Sequence, residues 1–360
     1  MRIGIDAHHL NGKPQGSRTY LIELIRAISG QLGNTDSLHV YSFEPEATRT
    51  MVPGQHHRLF PRSAKLRLPF IIPAVELAHR LDLFHSQYIA PPISFVPEIV
   101  TIHDVLFESH PELFEQAFSH RSVRMIRRSA RRAAAVLTVS EFSRQSIIEH
   151  YPIPEERVFV TPNAVDHSRF RRLSTAPTGL RERYGLTRPF VLSVGRLEPR
   201  KNLERLIKAL GQVDHDITLA VVGAADFRHE SILEAARDAR EGSVQLLGPV
   251  DDDDLPGLYN LAEALAYPSL VEGFGMPVLE AMACGTPVLT SRRGALPEVG
   301  GDAVVYVEPE DEESIASGLT RLLEDSSLRE RLRRQGLARA QEFSWDDTAL
   351  RTLAAYRGSL

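Results

Sequence analysis

Apolar residues in this chain come in short, dense runs separated by stretches of helical spacing. Runs rich in β-branched residues predict strands at 2–7, 38–43, 99–103, 135–140 and 157–161. After a break, similar runs predict strands at 190–195, 218–223, 244–248, 264–268 and 287–291. Between them apolar positions recur every three or four residues. N-L-E-R-L-I-K-A-L (202–210) and E-S-I-L-E-A-A-R-D-A (230–239) are examples, and both predict helices. The strand runs are continuous rather than alternating, so both of their faces are buried. That pattern belongs to parallel sheets covered by helices.

The break is the polar stretch 163–188, interrupted by Pro and Gly. It predicts two α/β domains, 1–165 and 166–344, each a doubly wound parallel sheet of Rossmann type. Ligands of such sheets gather beyond the carboxyl ends of the strands, so two domains facing each other make one cleft. Ser344, followed by Asp346 and Asp347, caps a final helix over 345–360.

Composition narrows the class. With 42% hydrophobic and 25% charged residues, the chain reads as a globular protein. No apolar run approaches the roughly 18 residues of a membrane span. The opening M-R-I-G-I-D-A reads as a strand rather than a signal peptide. The single cysteine, Cys284, excludes an internal disulfide, fits a reducing compartment and suits core packing. The expected location is the cytoplasm. Residues 1–165 carry 18 Lys and Arg against 16 Asp and Glu, and the remainder is acidic. Neither part has the basic excess of a nucleic-acid binder.

The chemistry concentrates in S-L-V-E-G-F-G-M-P-V-L-E-A-M-A-C-G-T-P-V (269–288), which follows the strand at 264–268. Pro277 suits a first helical position, so a helix is predicted to start near Met276 with its positive end toward the loop. Gly273 and Gly275 allow close backbone approach to a ligand. Glu280, one turn in, can accept hydrogen bonds from a vicinal diol, and Glu272 from a second set of hydroxyls. The bland reading is a tight turn with two acids at its solvated edge.

The string E-G-F-G-M-P-V-L-E-A-M-A-C-G-T-P-V resembles the E-x7-E signature of the family 4 glycosyltransferases, retaining enzymes of the GT-B fold that use nucleotide sugars. V-G-R-L-E-P-R-K-N-L (194–203) is similar to that family's diphosphate-binding segment. L-G-P-V-D-D-D-D-L-P-G-L-Y-N-L-A (247–262) is similar to its nucleotide-base loop and following helix. The resemblance implies Glu280 on the ribose of a nucleoside diphosphate sugar and Arg196, after Gly195, with Lys201 on the diphosphate. It implies Glu272 and the backbone of Gly273, Phe274 and Gly275 on the sugar. Met276, Pro277 and Val278, at the helix start, would stabilise the leaving phosphate. Read alone, Arg196 and Lys201 are equally well ordinary surface cations at loop ends.

In the first domain the likeness is thinner. The loop H-H-L-N-G-K-P-Q-G-S-R-T-Y (8–20) keeps Gly16 and Tyr20 of a glycine-rich family stretch. It has Arg18 where a second glycine is common, and Arg18 could itself reach an anion. A plain glycine turn into a helix from Thr19 competes with that reading. In T-I-H-D (101–104), His103 sits at a strand end and matches a family histidine that touches the transferred sugar. Asp104 is read as orienting it or capping a turn. The T-I-H-D form resembles mannosyl- or rhamnosyltransferases of bacterial polysaccharide assembly, which makes GDP-mannose the first-choice donor.

Asp251–Asp254 invites a metal, but it directly precedes a helix and reads as an N-cap with dipole-favouring acids. No metal and no cofactor beyond the nucleotide sugar is expected. Arg121, Arg124, Arg128 and Arg131 lie at helical spacing, with Val123, Ile126 and Ala130 toward another face. This is either a solvated helix face or, with the P-F-I-I-P loop (69–73), Arg62, Lys65 and Arg67, a peripheral contact with the inner membrane face. The latter suits a lipid-linked acceptor; the expected acceptor is a glycan or a lipid-linked one. Competing classes are another GT-B reaction, such as a phosphorylase or nucleotide-sugar epimerase, and a sugar-nucleotide-binding protein without turnover. An NAD(P)-dependent oxidoreductase would need G-x-G-x-x-G after a first strand, and neither domain has it.

Overall fold

Strands form where the chain alternates apolar runs with helices, and every ladder among them is parallel. The computed structural model describes residues 1–12, 16–114, 120–175 and 178–360. Residues 13–15 of the glycine loop and 176–177 of the break lie outside it. The chain forms two compact units. The first combines Met1–Ser109, Gln116–Asn163 and Ser344–Leu360, and the second His110–Glu115 and Ala164–Phe343.

The first unit holds β1 (Arg2–Asp6), β2 (Ser37–Ser42), β3 (Gln55–Arg58), β4 (Leu83–Gln87), β5 (Glu98–Thr101), β6 (Ala135–Thr138) and β7 (Val158–Val160). They form one sheet in the order β3-β2-β1-β4-β5-β6-β7. The second unit holds β8 (Phe190–Val194), β9 (Thr218–Val222), β10 (Val244–Gly248), β11 (Ala264–Tyr267), β12 (Val288–Ser291) and β13 (Val305–Val307), ordered β10-β9-β8-β11-β12-β13. In each sheet the chain reverses direction of travel once, between β1 and β4 and between β8 and β11. Loops diverge there and leave a crevice at the carboxyl edge, where doubly wound sheets bind ligands. The predicted donor residues follow β8 and β11.

Three strands escape the apolar pattern. β4 reads L-F-H-S-Q, yet all five residues are buried; His85 and Ser86 find partners inside the unit, while the Gln87 amide has none among the described residues. β3 is a polar edge strand, Q-H-H-R, and β13 has only three residues.

Helix starts also differ in places. The helix Gly16–Gln31 begins at Gly16 rather than Thr19. Neither Gly nor Pro stands at 17–18, and the Arg18 Nε–H donates to the Leu10 carbonyl (3.3 Å), holding the first turn. Asp254 stands at the start of the helix Leu255–Leu261 but caps nothing. Its carboxylate instead accepts from Arg183 Nη1 and the Tyr184 hydroxyl, both at 2.7 Å. The final helix, Trp345–Gly358, has the expected cap, with Ser344 Oγ accepting from the Asp347 N–H (3.1 Å). The P-F-I-I-P stretch is helical, not a loop.

Candidate active site

The loop after β8 leaves the strand through Gly195 at φ +152°, a conformation that favours glycine. The Lys201 stem lies where a Cβ would point, its Cε 3.0 Å away. The chain then makes a tight turn, Pro199–Lys201, and enters the helix Leu203–Leu210 through Asn202 in the left-handed region. Asn202 is buried, and its Nδ2 donates to the carbonyls of Pro268 (3.1 Å) and Pro309 (2.6 Å). The Leu270 N–H donates to Arg200 O (2.9 Å). These bonds tie the loop after β8 to the loop after β11, and so bring two distant sequence segments together.

Where they meet, charge is dense. Glu272 is buried (5% exposed) and accepts from Lys201 Nζ (2.7 Å) and the Tyr267 hydroxyl (2.8 Å). Arg200 pairs with the other Glu272 oxygen and, at 2.5 Å, with Glu198. Burial opposes ionisation of Glu272, yet Arg200 and Lys201 together hold its carboxyl down to about 2. Burial and the neighbouring Arg200 push Lys201 below the usual lysine range, while Glu272 and Glu198 oppose that shift. Two cations and two carboxylates therefore form one nearly neutral cluster beneath the E-G-F-G loop.

The Ala295 N–H donates to Glu272 O (2.9 Å), and Gly294, at φ +59°, packs on the Glu272 backbone. Gly275, at φ +108°, precedes the helix Met276–Ala283. Pro277 has no N–H, and that of Val278 is donated to Gly275 O (3.0 Å). Of the three residues expected to face a phosphate, only Met276 keeps an N–H to offer. The Phe274 ring is buried against Phe343, with centroids 5.9 Å apart, so its backbone alone can serve a ligand.

Glu280 accepts from the Tyr259 hydroxyl (2.8 Å), and burial raises its carboxyl to about 6 against that bond. Arg196 stands apart from the cluster. Its side chain is half-exposed and pairs with Asp226. Exposed pairs of this kind contribute about 0–1 kcal/mol, so Arg196 can exchange Asp226 for a ligand anion at little cost.

In the first unit, His103 follows β5. Its Nε2 is buried with no hydrogen-bond partner among the described residues, and burial lowers the ring to about 4. Tyr20 stands edge-on to it at 4.7 Å, and the Leu106 N–H donates to Asp104 Oδ1 (3.1 Å), the turn-capping role. Gly16 opens its helix at the surface with free space where a Cβ would be. Arg18 is turned to Leu10 and Met51. The buried Asp6, at the end of β1, holds His8 Nδ1 at 2.7 Å and Arg67 at 3.9 Å. Arg67 is thus an inward residue and leaves the surface basic group.

Sequence reasoning missed Arg200, Asn202, Tyr259, Tyr267 and Gly294. The first two stand inside E-P-R-K-N, and Tyr267 closes the strand before the motif. Nothing local distinguishes Gly294 or the pairing of Tyr259 with Glu280.

Residues 180–339 match the family described as glycosyl transferases group 1, and residues 14–169 match glycosyltransferase family 4. O-antigen chain mannosyltransferase B of Escherichia coli is 30% identical over 366 residues, covering 95% of this chain and 96% of that protein. The chain belongs to the family 4 glycosyltransferases. This glycosyltransferase is also 32% identical over 245 residues to the MMP alpha-(1->4)-mannosyltransferase of Mycolicibacterium hassiacum, covering 66% of this chain and 57% of that one. Anabaena HepE, solved in complex with UDP and glucose, superposes with a TM-score of 0.78 at 24% identity over the whole of both chains. Sucrose-phosphate synthase of Thermosynechococcus elongatus gives 0.77 at 22% identity, covering 99% of this chain and 98% of that one. The two parallel sheets of this glycosyltransferase are those of the GT-B fold.

Proposed function

We propose that this glycosyltransferase moves a mannosyl group from GDP-mannose to a hydroxyl of a glycan or lipid-linked acceptor in bacterial polysaccharide assembly, retaining anomeric configuration. The observation that carries the reading is the ordering of Glu272 and Glu280 around one helix start, with Lys201 and Arg200 paired to Glu272. The likeness to O-antigen chain mannosyltransferase B over nearly the full length supports mannose as the sugar.

Glu280 binds the ribose hydroxyls. Arg196 and Lys201, with the Met276 N–H and the helix dipole, hold the diphosphate and offset the charge that grows on it as the glycosidic bond breaks. Glu272, ionised at neutral pH, accepts from sugar hydroxyls together with the loop backbone. In the first unit, His103 is the group we assign to the transferred sugar, and Gly16 lets backbone approach the diphosphate. The departing phosphate takes the acceptor's proton on the same face of the sugar, so no covalent glycosyl-enzyme is formed. Cations of the chain supply the charge that a metal supplies elsewhere.

Thermal-shift measurements with GDP-mannose and with UDP-, dTDP- and ADP-sugars test the donor. GDP-mannose should give the largest rise. A larger rise with UDP-glucose would favour the donor class seen with HepE. Acceptor-dependent GDP release and an α-configured product from an α-donor are expected. Phosphate-dependent turnover, or epimerised sugar without acceptor, would replace transfer by another GT-B reaction.

Peripheral binding to an anionic bilayer is part of this proposal. Phe60, Leu66, Phe70, Ile93 and Phe95 are all at least 49% exposed. A cavity of about 460 Å³ opens among Lys65, Leu68, Met125, Arg121, Arg128 and Arg132. None of the described helices is long and apolar enough to cross a membrane. Cosedimentation with liposomes should rise with anionic lipid content, and a Phe70→Ser variant should reduce it. Binding indifferent to lipid charge would remove this part.

A further inference from the structure

At the outer edge of the first sheet three imidazoles converge, and glycosyl transfer uses none of them. His39 lies on β2, His57 on β3, and His79 ends the helix Ile72–Ala78. The register explains the first two. Tyr41 stands opposite His57, and side chains on one face recur at every second residue, so His39, Tyr41 and His57 share a face. His56 points the other way and is satisfied by Thr48 Oγ1 (3.2 Å) and the Val52 carbonyl (3.0 Å). The trio is arranged differently. The His57 and His79 rings lie 4.2 Å apart, and His39 lies 5.1 and 5.5 Å from them.

One ring nitrogen from each histidine lies within 4.8 Å of those of the other two. His39 Nδ1 and His57 Nε2 are 3.0 Å apart. Two nitrogens on a tetrahedral zinc ion, each at about 2.0–2.1 Å, stand roughly 3.3 Å from each other, so this pair needs little movement. The outer nitrogens of His39 and His79 are held from outside. His39 Nε2 lies 3.2 Å from Ser37 Oγ, and His79 Nδ1 lies 2.6 Å from the Tyr41 hydroxyl. A ligand histidine that donates its outer N–H keeps its other lone pair for the metal and has its ring fixed. Burial, then His79 and other same-sign neighbours, lower both His39 and His57, with His57 at about 4. Burial thus favours, for His39 and His57, the neutral form in which a histidine ligates a metal.

We propose that His39, His57 and His79 bind a divalent transition-metal ion of the imidazole-preferring kind, zinc first, which staples the edge strand β3 and the helix Ile72–Ala78 to β2. The site stands independently of the donor and acceptor chosen above. A metal there closes an open sheet edge whose strand, Q-H-H-R, has little apolar surface to hold it.

The test uses the full chain without an affinity tag, stripped by chelator. Cobalt(II) serves as the spectroscopic probe and zinc as its competitor. One equivalent of cobalt should bind per chain with ligand-field absorption of a nitrogen-ligated ion, zinc should displace it, and zinc should raise the melting temperature. His57→Gln and His79→Gln should each weaken binding at least about tenfold, whereas His215→Gln should not. Circular dichroism verifies that the variants fold, and both positions are only partly buried, so glutamine fits. An absent cobalt spectrum, or the same spectrum from the His57→Gln, His79→Gln double variant, overturns the proposal. Should the double variant not fold, equal binding by wild type and His79→Gln overturns it alone.

Discussion

Glu272 is the residue on which the charge of the second unit converges, and its behaviour is testable. Its carboxyl is held at about 2 against an ordinary 4.5, so its stabilisation is complete above about 4.5 and is lost as pH falls toward 2. Melting temperature followed through that window should drop more steeply for the wild type than for Glu272→Gln. At neutral pH that substitution should cost on the order of 3 kcal/mol, because Arg200 and Lys201 stay buried without half their counter-charge. Glu280 is the opposite case. Burial raises it to about 6, so the stability its protonated form contributes is full below about 4.5 and is lost as pH rises through 6. In the role proposed for Glu280, only the carboxylate would accept from both ribose hydroxyls. Donor affinity by calorimetry should therefore weaken as pH falls below that value, and Glu280→Gln should flatten the dependence. Arg196→Ala should change stability by no more than about 0.5 kcal/mol, its pair being exposed. Donor affinity should nevertheless fall, and an unchanged value would take Arg196 off the diphosphate.

Among the elements, β4 shows why a strand can be hidden from pattern reading. His85 is fully buried and kept neutral, its ring lowered to about 3 by burial. Its Nδ1 lies 2.6 Å from the Tyr356 hydroxyl and its Nε2 lies 2.7 Å from Thr101 Oγ1, which meets the Tyr20 hydroxyl at 3.0 Å. This chain joins β4, β5, the helix Gly16–Gln31 and the final helix beneath His103. His85 is thus accommodated in a buried strand because both of its ring nitrogens have partners, and none of those partners is adjacent in sequence. Tyr356→Phe leaves His85 Nδ1 buried and unpaired, and should cost about 1–3 kcal/mol by denaturant titration. A loss near zero would mean that the hydroxyl is not needed there.

For the whole molecule, the ends of the chain share one unit. The final helix leaves the second unit at Phe343 and buries Trp345, Leu353 and Tyr356 in the first, along the helix Gly16–Gln31. Burying three such side chains contributes on the order of 5 kcal/mol. Truncation after Phe343 should therefore lower the first unit's unfolding transition, read by protection of its β1 and β4 amides, more than the second's. Equal loss in both would mean that the helix does not belong energetically to the first unit.

The order of the elements apart from β3, β4 and β13, the parallel character of both sheets and the E-x7-E motif at a helix start were legible in the chain itself. These follow from short-range causes: continuous burial, helical spacing, and a proline at the first turn. The partners of the charged groups were not. Lys201 meets Glu272 across 71 positions, Asp254 spends its carboxylate on Arg183 rather than on a cap, Val278 returns its N–H to Gly275, and His39 finds His57 and His79. A charge or an imidazole takes whichever partner the folded loops bring within about 3 Å, and only the strand order and register decide which loops those are.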